Sequence, residues 1–278
     1  MSLEEIETFE KRLFRALAGL PAEKYAQEVL IPSLGAVLGL SHPTLEEIKE
    51  SLKEALASFK AVLAYYGIFR RGTEREMLSK MMLTAIERTL DDSPIEEFFR
   101  SKDSEALWIS FLEVCEETHK KPMEQMNRPF IEGVCKLCFE LFEITRHGSI
   151  FLWIYDEVCA AHRVEHVFNR LVDIRTFGPK TASHILRDAV FLYDLEKHIV
   201  LKDRLYLLPI NNAIRVIGEM VLPEATTHLA DWILAGKISR AIRNAGVSIV
   251  RVSMGATYVA IRASETSESI EKALRKIA

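Results

Sequence analysis

The chain has 278 residues, 49% of them hydrophobic and 27% charged, with a formal net charge of −4. This is the composition of a soluble globular protein, long enough for one large domain or two ordinary ones. It excludes attraction to nucleic acid through overall charge, and no apolar run reaches the roughly 20 residues that a membrane helix needs. The acidic, amphipathic start, MSLEEIETFEKRLFRAL, is unlike a secretory signal, so a cytoplasmic location is expected.

Taken in order, the apolar spacing predicts helices almost throughout. Leu3, Ile6, Phe9, Leu13 and Leu17 form one stripe of a first helix over 3–18. Pro21 opens a second, from Ala22 to Val29, and Pro32 with the following SLGAVLGLSHP is expected to break the pattern. Thr44-Leu45-Glu46-Glu47 has the form of a capping box, and its helix is expected to run to about Tyr66, before Gly67. Further helices are predicted from Thr73 to Leu90, after Ser93-Pro94, from Ser104 to His119 and from Pro129 to Thr145. Val247 to Ala263 is rich in β-branched residues and allows a short β-hairpin, and a last helix spans Ser267 to Ile277. The fold class expected is therefore all-α, with a short β-hairpin near the C-terminus.

Charge is unevenly placed. Residues 151–278 hold 17 Lys+Arg and 14 Asp+Glu, a net of +3, which leaves 19 and 26, a net of −7, in residues 1–150. The basic half suits a local phosphate contact, and the acidic half suits a protein partner. The cysteines are Cys115, Cys135, Cys138 and Cys159. Cys135 and Cys138 form a C-x-x-C, but no second pair or histidine stands at ligand spacing, so they read as core thiols and neither metal nor cofactor is expected. Trp108, Trp153 and Trp232 likewise read as core at their helical spacing.

The most informative stretch is EHVFNRLVDIRTFGPKTASHILR, residues 165–187. Val167, Leu171 and Ile174 mark one helix, Arg175-Thr176-Phe177-Gly178 a tight turn, and Pro179 the first position of a second helix. Gly178 is expected to supply any positive φ in the turn. The segment resembles the helix-hairpin-helix of the DNA glycosylase superfamily that includes endonuclease III and the oxoguanine glycosylases. That family's hairpin reads Leu-Pro-Gly-Val-Gly followed shortly by Lys. Ile174, Phe177, Gly178 and Lys180-Thr181-Ala182 match it, whereas Arg175 and Thr176 stand where its Pro and first Gly belong.

The resemblance implies two helical lobes and double-stranded DNA, damaged or abasic, as the partner. It implies an N-terminal extension over 1–70, a lobe over 71–200 that ends in the hairpin, and a C-terminal lobe over 201–278 packed with the N-terminal helices. Lys180 would be the amine that attacks C1′ of the damaged nucleotide. Such an amine must be neutral to act, and a helix N-terminus favours the neutral form. The family's partner Asp falls on Asn211 in Leu208-Pro209-Ile210-Asn211. Asn caps a helix well but carries no charge and takes no proton, so abasic-site lyase action is expected more readily than excision of a stable base. Asp194 and Asp203 lie nearby in sequence as substitutes. Backbone N–H groups around Thr176, Phe177 and Gly178 would hold phosphate, with Arg175, His184 and Arg187 adding contacts. A relative that binds DNA or a protein without catalysis is the alternative.

Overall fold

The computed structural model describes residues 8–67, 75–222, 229–263 and 266–278. Among these residues all regular structure is helical. In chain order the helices are α1 (Phe9–Ala18), α2 (Leu20–Tyr25), α3 (Ile31–Leu38), α4 (Leu45–Ser51), α5 (Ala55–Lys60), α6 (Arg75–Leu90), α7 (Ile95–Ser101) and α8 (Ser104–Glu117). They continue with α9 (Glu124–Thr145), α10 (Ile150–Ala161), α11 (Glu165–Val172), α12 (Pro179–Leu192), α13 (Asn212–Val221), α14 (Asp231–Asn244), α15 (Ile249–Arg262) and α16 (Ser267–Ile277). Two π-helical turns, Ala26–Leu30 and Ala61–Tyr66, follow α2 and α5, and two 3₁₀ segments, Glu196–His198 and Leu201–Leu207, link α12 to α13. No described helix is long and apolar enough to cross a membrane.

The local signals act largely as expected. Thr44 and Glu47 form the reciprocal capping box of α4. The helix that follows is interrupted at 52–54 and resumes as α5, and its π-turn ends at Gly67. Pro32 does not break the chain: it is the second residue of α3, and the π-helical turn Ala26–Leu30 directly before it is the irregularity at which the helical run takes in a proline. Pro129 lies inside α9, which begins five residues earlier than expected, at Glu124. Leu3, Ile6 and Thr73, expected in the first helix and at the start of α6, lie outside the described residues.

The expected β-hairpin over Val247 to Ala263 is replaced by α15, capped by Ser248, whose side chain accepts from the Arg251 N–H. Burial overrides strand propensity here. Ile249, Val252, Ala256 and Val259 are buried at the i, i+3, i+7, i+10 spacing of one helix face, and Val250 and Met254, four apart, are buried beside them.

The chain forms two compact units, one combining Met1–Leu30 with Leu186–Ala278, the other spanning Ile31–Ile185. The N-terminal helices α1 and α2 pack on α15 and so join the C-terminal helices. The Ile31–Ile185 unit has an aromatic core in which Phe59 and Phe99 meet edge to face at 5.7 Å and Phe98 and Phe139 at 5.5 Å. Its α10, for which the sequence reading assigned no element, is tied down by two buried serines. Ser58 Oγ accepts the Ile150 N–H at 2.9 Å, and Ser149 Oγ donates to the Leu52 carbonyl at 2.8 Å.

Candidate functional site

The 165–187 stretch folds as helix, turn and helix, and α9 is the platform for its turn. Ile174 and Phe177 point inward, with 5% and 2% of their surface exposed. Burying two such side chains contributes about 1.5–3 kcal/mol each. The Phe177 ring stacks on Phe130 of α9 at 5.8 Å between centroids and 10° between planes. Gly133 of α9 leaves room for Ile174, since a Cβ there would stand 2.8 Å from its Cγ2. Thr176 Oγ1 donates to the Met126 carbonyl at 3.2 Å.

With the apolar members of the turn anchored, its polar members face water. Arg175, Thr176, Gly178, Pro179 and Lys180 are exposed. The Thr181 and Ala182 N–H groups both donate to the Gly178 carbonyl, at 2.9 and 3.2 Å, while those of Gly178 and Lys180 make no hydrogen bond among the described residues. Two backbone donors therefore stand open at the start of the 14-residue α12, beside an Arg and a Lys. This is the arrangement that binds an anion through helix-terminal N–H groups.

Thr176, not Gly178, takes the positive φ, at 71°. Gly178 supplies openness instead: a Cβ there would meet nothing within 4 Å. The left-handed conformation costs a β-branched residue about 1–2 kcal/mol, and the Thr176–Met126 bond offsets part of it.

Other expected contributors lie elsewhere. Phe177 forms the floor of the turn and offers no surface to DNA. His184 is 7% exposed, because α12 turns that face inward, so the expected phosphate contact gives way to a core position. Arg187 is fully buried. Its guanidinium donates to Asp188 Oδ1 at 2.8 Å, Thr257 Oγ1 at 3.0 Å and Tyr25 Oη at 2.7 Å, and lies 4.8 Å from the Tyr25 ring centre. It is a structural cation, not a phosphate contact.

Asn211 and Asp203 belong to the unit that contains the C-terminus. Asn211 caps α13, its Oδ1 accepting the Ile214 N–H at 3.0 Å. Asp203 is 1% exposed in the 3₁₀ segment Leu201–Leu207, where no substrate reaches it. Asp194 is exposed and pairs with Lys197 at 2.7 Å, which holds its carboxyl below the usual range.

Cys135 and Cys138 are buried core thiols, as their spacing predicts, and Trp108 and Trp153 are buried, but Trp232 is 71% exposed. Among the described residues no group of three or more His, Cys, Asp or Glu side chains is placed to hold a metal ion. Lys202, Ser239, Arg240 and Arg243, none of them among the residues expected from sequence, line a cavity in the same unit as Asn211. The one signal for them was the i, i+3 spacing of the two arginines on α14. No family model, curated protein or solved structure matches this chain.

Proposed function

We propose that this chain binds double-stranded DNA through the 174–180 turn and acts on abasic sites with Lys180 as the amine. The observation that carries this reading is the open pair of N–H donors at Gly178 and Lys180, flanked by the exposed side chains of Arg175 and Lys180. A phosphate seated there is held without reference to base sequence, as a protein needs when its target has lost its base. The resemblance of Lys180-Thr181-Ala182 to the glycosylase hairpin supplies the chemistry.

In that chemistry neutral Lys180 Nζ adds to the C1′ aldehyde of an abasic sugar, and the hydroxyl so formed takes a proton from solvent and leaves as water, giving an iminium. Loss of the C2′ proton to water then lets the C3′–O bond break, which nicks the strand and leaves the 3′ oxygen on the departing phosphate. Asn211 gives the reaction no base and no negative charge, so excision of an intact base is no part of the proposal. Because Asn211 Oδ1 is already engaged by the Ile214 N–H, a relative that binds DNA without turnover is the second reading.

Borohydride trapping separates the two. Wild type mixed with an abasic duplex should give a covalent adduct that Lys180→Ala lacks. If duplex binds in a salt-dependent way and no adduct forms, the non-catalytic reading stands. Absence of duplex affinity at low salt would remove both.

A further inference from the structure

The unit formed by Met1–Leu30 and Leu186–Ala278 contains a cavity of about 750 Å³. It lies between the end of α12, the two 3₁₀ segments, α14 and the start of α15. The volume falls within the roughly 300–1,000 Å³ of small-molecule sites. Six cations and two carboxylates line it, so the wall has a net charge of +4.

Internal partners account for part of that charge. Lys197 pairs with Asp194 at 2.7 Å. Arg251 donates to the Ala18 carbonyl at 2.6 Å and to Glu23 at 2.9 Å. Arg204 donates to the Ile199 carbonyl at 3.1 Å and lies 4.0 Å from Glu196. Glu196 itself serves the start of α15, taking the Ile249 N–H at 2.8 Å and the Ser248 hydroxyl. The field of that helix is thus already met by a carboxylate of the chain.

What is left over defines a ligand. Lys202, Arg240 and Arg243 are exposed, and their side chains have no ion-pair or hydrogen-bond partner among the described residues. Ser239, one residue before Arg240 on α14, is 8% exposed, and its Oγ is buried with no hydrogen-bond partner. Buried hydroxyls are normally satisfied, so this one marks a place for an incoming oxygen. Leu201, Leu205 and Val247 give the same cavity apolar wall.

We propose that this cavity binds a small organic polyphosphate of the nucleoside triphosphate class. Lys202, Arg240 and Arg243 neutralise the phosphate chain, Ser239 Oγ donates to a phosphate oxygen, and the apolar wall receives the nucleoside. The net charge of +4 on the wall, three of its cations unpartnered, suits the negative charge of such a chain, and guanidinium groups suit phosphate oxygens in pairs. A concave site with a buried hydroxyl favours a small molecule over a strand, whose backbone tracks an open groove. The site is independent of the 174–180 turn.

Calorimetric titration of the full chain with ATP, and separately with pyrophosphate and a single-stranded oligonucleotide, tests this. ATP is expected to bind, with pyrophosphate weaker because it lacks the nucleoside. The surface variant Arg240→Ala/Arg243→Ala should weaken ATP by at least about tenfold, as loss of charge-assisted bonds requires. Ser239→Ala should weaken it by a smaller factor, and Lys180→Ala should leave it unchanged. A dissociation constant above about 1 mM for ATP with wild type overturns the proposal. So does ATP binding that the double arginine variant leaves intact, or an oligonucleotide that binds more tightly than ATP and depends on the same arginines.

Discussion

The side chain that most constrains the unit built on both ends of the chain is Arg187. A guanidinium cannot shed its charge, so burial demands that the surroundings answer each N–H. They do: Asp188 supplies the opposite charge at 2.7 Å, and Tyr25, Ser253 and Thr257 supply oxygens from α2 and α15. Breaking one half of a buried pair leaves the other half uncompensated, at a cost of about 3–5 kcal/mol. Arg187→Met is expected to lose stability of that order in urea denaturation. Adding Asp188→Leu should recover part of the loss, because the stranded carboxylate goes with it. A loss below about 1 kcal/mol for Arg187→Met would show the network to be exposed in solution. In sequence, Arg187 looked like one more basic residue on a DNA-binding helix. Nothing local distinguishes it, because its partners come from positions as distant as 25 and 257.

At the scale of elements, α15 shows where sequence reasoning ran out. Turn and cap chemistry is local, so the capping box at Thr44, the last helix and the helix-turn-helix at 165–187 were legible. The β-branched run of α15 has a local preference for strand, and only its burial against α1 and α2 reverses it. Gly255 is the mark of that contact: a Cβ there would overlap the Leu17 carbonyl oxygen and stand 2.8 Å from its carbon. Gly255→Ala is therefore expected to destabilise by about 1–3 kcal/mol or more, as overpacking does. Gly236 of α14, where a Cβ meets nothing within 4 Å, is the contrast. Gly236→Ala should stabilise by up to about 1 kcal/mol through helix propensity alone. Equal shifts in the two denaturation midpoints would contradict the close approach of α15 to α1. The polyphosphate cavity was illegible for a related reason, since Lys202, Ser239 and Ile249 come from three separate segments.

For the molecule as a whole, charge and thiols divide between the units. Met1–Leu30 with Leu186–Ala278 holds 17 Lys+Arg and 16 Asp+Glu, a net of +1, which leaves 19 and 24, a net of −5, for Ile31–Ile185. The DNA contact proposed for the 174–180 turn would therefore work against the net charge of its own unit, and with only Arg175 and Lys180 beside the turn its salt dependence would be shallow. All four cysteines belong to that acidic unit, and Cys159 alone is exposed. Burial pushes Cys115 up to about 11 and also raises Cys135 and Cys138 well above the ordinary thiol value, so none of these three presents a thiolate near neutral pH. A thiol reagent should consume one cysteine quickly in the folded protein and the other three only as the unit opens, faster with added urea. Rapid reaction of three or four thiols without denaturant would refute the packing of α8 and α9.

One of the two units is assembled from both ends of the sequence, with the other threaded between them. On a ribosome this sets an order of events. Residues 31–185 are all available to fold before α14, α15 and α16, the C-terminal partners of α1, exist. Synthesis of that intervening stretch takes on the order of ten to thirty seconds at ordinary translation rates. For that interval the greasy stripe of Leu13, Phe14 and Leu17, fully covered in the finished protein, lacks the cover that α14, α15 and α16 give α1. A nascent-chain chaperone that shields the first thirty residues would raise the yield of folded protein, and a tag that delays their release would lower it.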